Sequence, residues 1–279
     1  MISSREQLNR SSAPFAEATQ EHDLRIKTAA VLIALPVLFT LFYTLLQVTF
    51  DYPSILRQPA PEVLRQFQAG GASLVAIWYG FALTPLLFLP AAVLLERTLR
   101  RGNPAGLFLA TPLAIAATLV QVLGLLRWPF LVPELAQTAN NPATDEATRA
   151  ATIAIFEAFH RYLGVAVGEH LGYLFTAAWT VVICLALRHT ARFPSWLSWM
   201  GLAAAVGIAI GLLEPMGLSA AGMINALSYL LWSFWLIALG IRLLRTREPK
   251  LISAAQGAEE SGAWGEHPVG ASRNPSAVR

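Results

Sequence analysis

The sequence predicts an all-α fold, a polytopic transmembrane bundle of six helices with an additional amphipathic outer helix before the fourth span. Six apolar runs cover residues 29–50, 72–95, 106–126, 163–187, 196–213 and 220–241. At 1.5 Å per residue, such runs can cross roughly 30 Å of hydrocarbon as helices. The chain is 13% charged, against about 25% in a soluble domain. Because the runs are apolar on every side, they do not fit the surface helices of a soluble protein.

The basic residues predict the orientation of these helices. Fifteen of the twenty Lys and Arg residues precede run one, follow run six, or lie in the loops after runs two and four. The positive-inside rule therefore places both termini in the cytoplasm. The net charge of +3 reflects this orientation, so we expect no nucleic-acid partner. The expected partners are the lipid bilayer and a possible small-molecule ligand, and protein partners stay unknown.

The domain organisation follows from the same runs. Residues 1–28 form a cytoplasmic N-terminal tail, residues 29–245 the transmembrane domain, and residues 246–279 a disordered cytoplasmic tail rich in Gly, Ser, Ala, Pro and Glu. Run one spans 22 residues, which exceeds the ~7–15 apolar residues of a signal peptide. We therefore expect it to remain as the first span. The only cysteine, Cys184, lies within run four, which excludes an intrachain disulfide.

Spans one and two are joined on the outer side by the loop 54–70. Its apolar residues have the spacing of a short amphipathic helix, which we expect to lie in the headgroup layer. Run two contains Pro85 and Pro90. Prolines inside a span free backbone carbonyls, so they predict kinked packing or, alternatively, a hinge or a cavity lining.

Spans three and four are joined by the longest outer segment, 130–148. Asn140 to Pro142 predict a turn, and Thr144 or Asp145 is expected to cap a following helix at its N-terminus. This additional amphipathic helix covers about residues 146–162 and leads into run four.

Spans four and five carry regularly spaced glycines. Gly164, Gly168 and Gly172 follow one another at steps of four in run four, and Gly207 and Gly211 repeat the spacing in run five. Small residues at this spacing let a neighbouring helix backbone approach closely. We therefore predict tight helix packing along both stripes. Run five then ends in a short outer turn before run six.

Polar residues within or beside the spans lie almost entirely at their outer ends, which predicts a polar site that opens outward. An ionisable group at the centre of a membrane helix costs roughly 2.5–3.5 kcal/mol, so it normally pairs or lines water. With about 100° per residue, Glu157 and Arg161 would form an i, i+4 ion pair. Glu169 could meet Arg127, and His170 would face another neighbour. The candidate residues of the polar site are Arg127, Glu157, His160, Arg161, Glu169, His170 and Glu214.

The sequence does not assign a molecular activity to this site. A proton-coupled small-molecule carrier could use Glu169 and His170 as a relay. A membrane-embedded enzyme or metal-binding protein could use the outer Glu and His residues, since Glu157 and His160 have E-x-x-H spacing. A third interpretation is that these groups pair structurally at the headgroup layer. Known nucleotide-binding and hydrolase motifs are absent from the sequence, and we predict no cofactor and no metal.

Several short segments together resemble a family of bacterial integral-membrane proteins, one of the domains of unknown function. The resemblance covers roughly residues 28–245 and implies a six-helix domain in the bacterial cytoplasmic (inner) membrane, without an activity. The segments are FDYP at 50–53 with ILR at 55–57, WYGF at 78–81, LRW at 126–128, GEHLGY at 168–173, WLSWMG at 196–201, LEP at 213–215 and NALSYLLW at 225–232.

Overall fold

The computed structural model describes residues 4–100, 105–190 and 192–246, with side chains from Thr19 onward. The described chain is helical and contains no strand in these ranges, so the predicted all-α class is confirmed. Its α-helices are α1 (Ser4–Phe50), α2 (Ala60–Leu83), α3 (Phe88–Leu99), α4 (Ala110–Phe130), α5 (Val132–Asn140), α6 (Glu146–Phe159), α7 (Gly172–Arg188), α8 (Ser195–Ile210) and α9 (Ala221–Arg245). The predicted C-terminal tail lies, except for Thr246, outside the described residues.

Shorter helical segments connect several of these elements. In the described ranges four are 3₁₀-helices, and one is a π-helix that joins α6 to α7. They are the 3₁₀-helices Ser54–Arg57, Thr84–Leu87, Leu107–Leu109 and Gly211–Met216, and the π-helix His160–Leu171. The helix α1 starts at Ser4, so the residues of the predicted N-terminal tail continue the first helix from there.

Within the part of the chain that the structure describes, six helical stretches are long and apolar enough to span a membrane, as the sequence predicts. They are Thr19–Phe50, Ala60–Leu99, Leu107–Asn140, Glu146–Arg188, Ser195–Met216 and Ala221–Arg245. The fourth contains 43 residues, which is about 65 Å of α-helix and twice the hydrocarbon thickness. Spans two to four therefore project beyond the bilayer at one end.

The projecting segments form a cap at one end of the bundle. At this end the chain connects span one to span two and span three to span four. We call this end the capped end, and the opposite end, which carries the loops after spans two and four, the basic end. The cap consists of the first part of α2 with α5 and α6, and α2 contacts both of the other helices. At Gly71 the α2 backbone has φ of +58° and kinks, which a glycine allows without steric cost.

An aromatic cluster fills the centre of the cap. The rings of Trp78 and Trp128 stack with centroids 4.3 Å apart, and Phe50 meets Trp128 edge to face at 5.5 Å. Leu64 and Phe67 of α2 are buried in the same cluster. The loop 54–70 is therefore helical from Ala60, as its spacing predicts. Its apolar face, however, packs against the protein rather than in the headgroup layer, because Phe50 and Trp128 offer an apolar surface there.

A second aromatic cluster closes the half of the bundle towards the basic end. Phe88, Trp179, Trp232 and Trp235 are buried together, and we call them the aromatic plug. Their ring centroids lie 4.7 Å apart for Phe88 and Trp179, and 5.7 Å apart for Phe88 and Trp232. The indoles of Trp232 and Trp235 donate hydrogen bonds to Thr180 Oγ1 and to the Leu197 carbonyl. The plug therefore joins α3, α7, α8 and α9 into one core.

Candidate functional site

The site at the capped end is built around Arg127, which lies near the end of α4. Its side chain is only 7% exposed. Nη1 donates to the carbonyl of Gly124, and Nη2 lies 3.4 Å from Nδ1 of His160. The guanidinium also lies over the ring of Trp128, 5.3 Å from its centroid. Nε is buried and has no hydrogen-bond partner among the described residues.

Glycines of the π-helix make room for Arg127. A Cβ added at Gly164 would lie 2.5 Å from Cζ of Arg127. A Cβ added at Gly124 would lie 2.6 Å from the Cα of Gly168, and one at Gly172 would lie 3.0 Å from Gln121. The predicted close packing along the glycines of span four is therefore confirmed, and its partner is α4. Gly207 and Gly211 likewise face Ser228 and Asn225 of α9.

The π-helix alters the arrangement that a continuous α-helix would give. Its backbone hydrogen bonds run from residue i to i+5 rather than to i+4, so the angle between successive side chains differs from the 100° of an α-helix. Glu157 and Arg161 are both exposed, and no ion pair joins them in the described chain. The prediction of an i, i+4 pair is therefore wrong. The α6 cap itself is as predicted, since Asp145 Oδ1 accepts a hydrogen bond from the Thr148 backbone N–H at 2.9 Å.

Glu169 is the acidic counterpart of Arg127. It is partly buried and interacts electrostatically with Arg127, Glu214 and Tyr173. Its carboxylate nevertheless forms no ion pair with Arg127. The nitrogen and oxygen atoms of the two side chains do not approach within 4.0 Å, whereas those of the ion pairs in the described chain do. The two opposite charges are thus held near each other without direct contact.

The remaining predicted residues divide into two groups. Glu214 is exposed on the turn Gly211–Met216, and its carboxylate reaches over Gly222, where an added Cβ would lie 3.5 Å away. His160 contacts Arg127. His170 is partly buried and, within the described residues, takes no part in these contacts. The structure therefore places His160 against Arg127 and Glu169 within electrostatic range of both Arg127 and Glu214, and it leaves Glu157 and Arg161 at the surface.

The site continues towards the middle of the bundle along a polar stripe that begins with Glu169 and Tyr173, and the sequence interpretation missed its continuation through Thr176 and Thr180. Counted from Glu169, the polar residues Tyr173, Thr176 and Thr180 follow at steps of four, three and four towards the basic end. This spacing places them on one face of α7. Gln121 Nε2 donates to Thr176 at 3.3 Å, and the rings of Tyr173 and Tyr229 lie 5.7 Å apart. We call Glu169, Tyr173, Thr176 and Thr180 the polar stripe. Its spacing was the signal available in the sequence.

The polar stripe ends at a small cavity of about 30 Å³ beside the aromatic plug. This volume is enough for about two water molecules. Pro36 of α1 and Pro85 of the 3₁₀-helix Thr84–Leu87, which interrupts span two, line this cavity. The alternative of a cavity lining therefore holds for Pro85, whereas Pro90 is not among the lining residues. The lining residues are Leu35, Pro36, Phe39, Thr84, Pro85, Phe88, Gln121, Thr176, Tyr229, Trp232 and Ser233.

Tyr52 closes the site from the loop between spans one and two. It interacts electrostatically with both Glu169 and Arg127, and burial raises its pKa above the usual value for tyrosine. The hydroxyl therefore stays protonated at neutral pH and can donate a hydrogen bond. The chemistry present is one buried cation, two carboxylates and several tyrosine hydroxyls. Across the described ranges, no three His, Cys, Asp or Glu side chains are grouped so that they could hold a metal ion.

The six long apolar helices of the described residues, with a charged site at one end, define the class of this chain as a helical multi-pass membrane protein. More particularly, the chain belongs to the family described as a domain of unknown function, DUF4386, whose model matches residues 28–240. This match agrees with the resemblance in the sequence. Comparisons with curated proteins and with solved structures gave no match.

Proposed function

We propose that this membrane domain binds a small polar molecule at the site around Arg127, and that the site opens to the outer face of the bacterial cytoplasmic membrane. The observation that carries the proposal is the state of Arg127, which is buried, has an unpaired Nε and has no carboxylate in direct contact among the described residues. A buried charge without a partner is costly, and a buried unpaired donor often indicates a missing ligand or water.

Binding is expected to stabilise the protein and to depend on Arg127. We expect amino acids, short monocarboxylates or small amines, screened at about 10 mM in detergent, to include a class that raises the melting temperature. A ligand at 100 times its Kd stabilises by roughly 2.7 kcal/mol. Arg127→Gln should remove the effect of that class, whereas Arg161→Gln should retain it because Arg161 is exposed. A ligand-induced shift of equal size in both variants would contradict the proposal.

The basic residues indicate on which side of the membrane the site lies. Of the twenty Lys and Arg residues, fifteen belong to the basic end or to the terminal segments. The positive-inside rule then puts both termini in the cytoplasm and the cap outside. Because Cys184 is the only cysteine and is buried, single introduced cysteines can report accessibility. A membrane-impermeant maleimide should label Ala143→Cys in intact cells and His189→Cys only after permeabilisation. Labelling in the reverse order would place the site on the cytoplasmic side.

Proton-coupled carriage of the ligand stays a prediction. Glu169 beside Arg127, the prolines at the cavity and the plug beneath it are features that a carrier would use. If the protein is such a carrier, ligand and protons should enter proteoliposomes in a coupled flux. Glu169→Gln should abolish this flux, and Glu157→Gln should preserve it. A metal site has no comparable support, because the described residues contain no group of three or more His, Cys, Asp or Glu side chains that could hold a metal ion.

A further inference from the structure

We propose that the ligand of this site is a small zwitterion, a molecule with one carboxylate and one ammonium group such as an amino acid or a betaine. The inference rests on the proposed function and specifies its ligand class. It combines three features of the site, which are the buried, unpaired edge of Arg127, the carboxylates and tyrosines opposite, and the absence of an ion pair between Arg127 and Glu169 in the described residues.

Arg127 offers one edge of its guanidinium to a carboxylate. Nη1 is occupied by the Gly124 carbonyl. Nη2 has only the 3.4 Å contact with His160, and Nε has no partner among the described residues. Arginine binds carboxylates through two parallel N–H···O bonds from adjacent nitrogens. The Nε–Nη2 edge is the pair of donors that remains available for such a bidentate contact.

The opposite side of the site suits an ammonium group. Glu169 and Glu214 interact with each other electrostatically, so two carboxylates share this region. The ring of Tyr173 lies 5.7 Å from that of Tyr229 and against Gly211, at the start of the turn that carries Glu214. Carboxylates together with aromatic ring faces are a common setting for ammonium groups.

The separation of the charges favours a ligand with both groups. In a medium of low dielectric constant, opposite charges attract strongly and are expected to pair. Arg127 and Glu169 instead form no ion pair within 4.0 Å in the described chain. A ligand with only a carboxylate would meet the repulsion of Glu169 and Glu214, and one with only an ammonium group would leave Arg127 unpaired. A zwitterion placed between them satisfies both sides without changing the net charge of the site.

The test is calorimetric titration of the purified full-length protein in detergent with L-alanine, glycine betaine, acetate and ethylammonium. We expect at least one zwitterion to bind at least tenfold more tightly than both acetate and ethylammonium. Arg127→Gln and Glu169→Gln should each weaken that binding at least tenfold. The matched variants Arg161→Gln and Glu157→Gln remove exposed charges at the same end of the bundle and should bind like the wild-type protein.

Two outcomes would overturn the inference in distinguishable ways. Acetate or ethylammonium binding as tightly as the zwitterions, in an Arg127-dependent manner, would refute the zwitterion and leave the proposed function standing. Binding of none of the four probes, together with no stabilisation in the broader screen, would refute both. If Arg127→Gln fails to fold, the wild-type comparison of the four probes still decides the question, and Arg127→Lys tests the bidentate contact while retaining the charge.

Discussion

Replacing Gly124 with alanine is expected to destabilise the membrane domain by about 1–3 kcal/mol, the usual cost of overpacking. The new Cβ would lie 2.6 Å from the Cα of Gly168 and 3.1 Å from the Leu163 carbonyl. These are backbone atoms of the π-helix, which cannot rotate away as a flexible side chain can. The two helices must therefore move apart, in a membrane where close packing contributes much of helix association.

The same substitution should also disturb the candidate site. Gly124 supplies the carbonyl that accepts from Arg127, so displacing this turn of α4 relative to the π-helix moves the guanidinium away from Glu169. We therefore expect the stability loss to be accompanied by at least tenfold weaker ligand binding. Reversible unfolding in mixed micelles, followed by tryptophan fluorescence, gives the free energy of unfolding, and titration gives the affinity.

Gly222→Ala is the matched control, because it makes the same chemical change in another membrane helix. There the added Cβ would meet only the Glu214 carboxylate, at an ordinary contact distance of 3.5 Å. Alanine is the better helix former by about 1 kcal/mol, so we expect unchanged or slightly higher stability. If the Gly124→Ala and wild-type proteins were equally stable, the contact between α4 and the π-helix would not be tightly packed.

The glycines illustrate which features of the fold could be predicted from the sequence. Steps of four among Gly164, Gly168 and Gly172 predict a close helix contact, and the contact with α4 exists. The apolar runs likewise predict the spans, because exclusion from water acts on composition over many residues. The partner of each helix was not predictable, since all apolar helices present similar surfaces to one another.

The candidate site was predictable only in part, because its contacts join side chains from different helices. The residue types and the end of the bundle could be inferred, because an ionisable group in hydrocarbon needs a partner. The expected pair of Glu157 and Arg161 does not form, since both side chains are exposed and no ion pair joins them in the described residues. The pairing of Arg127 with His160 across α4 and the π-helix depends on a tertiary contact, and no local sequence pattern encodes it.

Replacing Trp128 with alanine is expected to cost about 3–5 kcal/mol of stability, the range for truncating a buried aromatic residue. Trp128 is 1% exposed and stacks on Trp78 with ring planes only 10° apart. Its ring also meets Phe50, Phe67 and Phe156. It therefore joins the first part of α2 and the helix α6 to the end of α4. Removing its ring would leave a cavity in the aromatic cluster at the centre of the cap.

Trp196→Ala is the matched control, because this indole is 53% exposed, so its removal leaves no cavity. Thermal unfolding of both variants and the wild-type protein, in one detergent, should show a large loss for Trp128→Ala and little change for Trp196→Ala. Since Trp128 also lies beneath the Arg127 guanidinium, proteolysis of the cap and loss of ligand binding should accompany the lower stability. If Trp128→Ala lowered stability but left ligand binding intact, the cap would be a separate structural layer, and Arg127 would be positioned by the glycines of the π-helix alone.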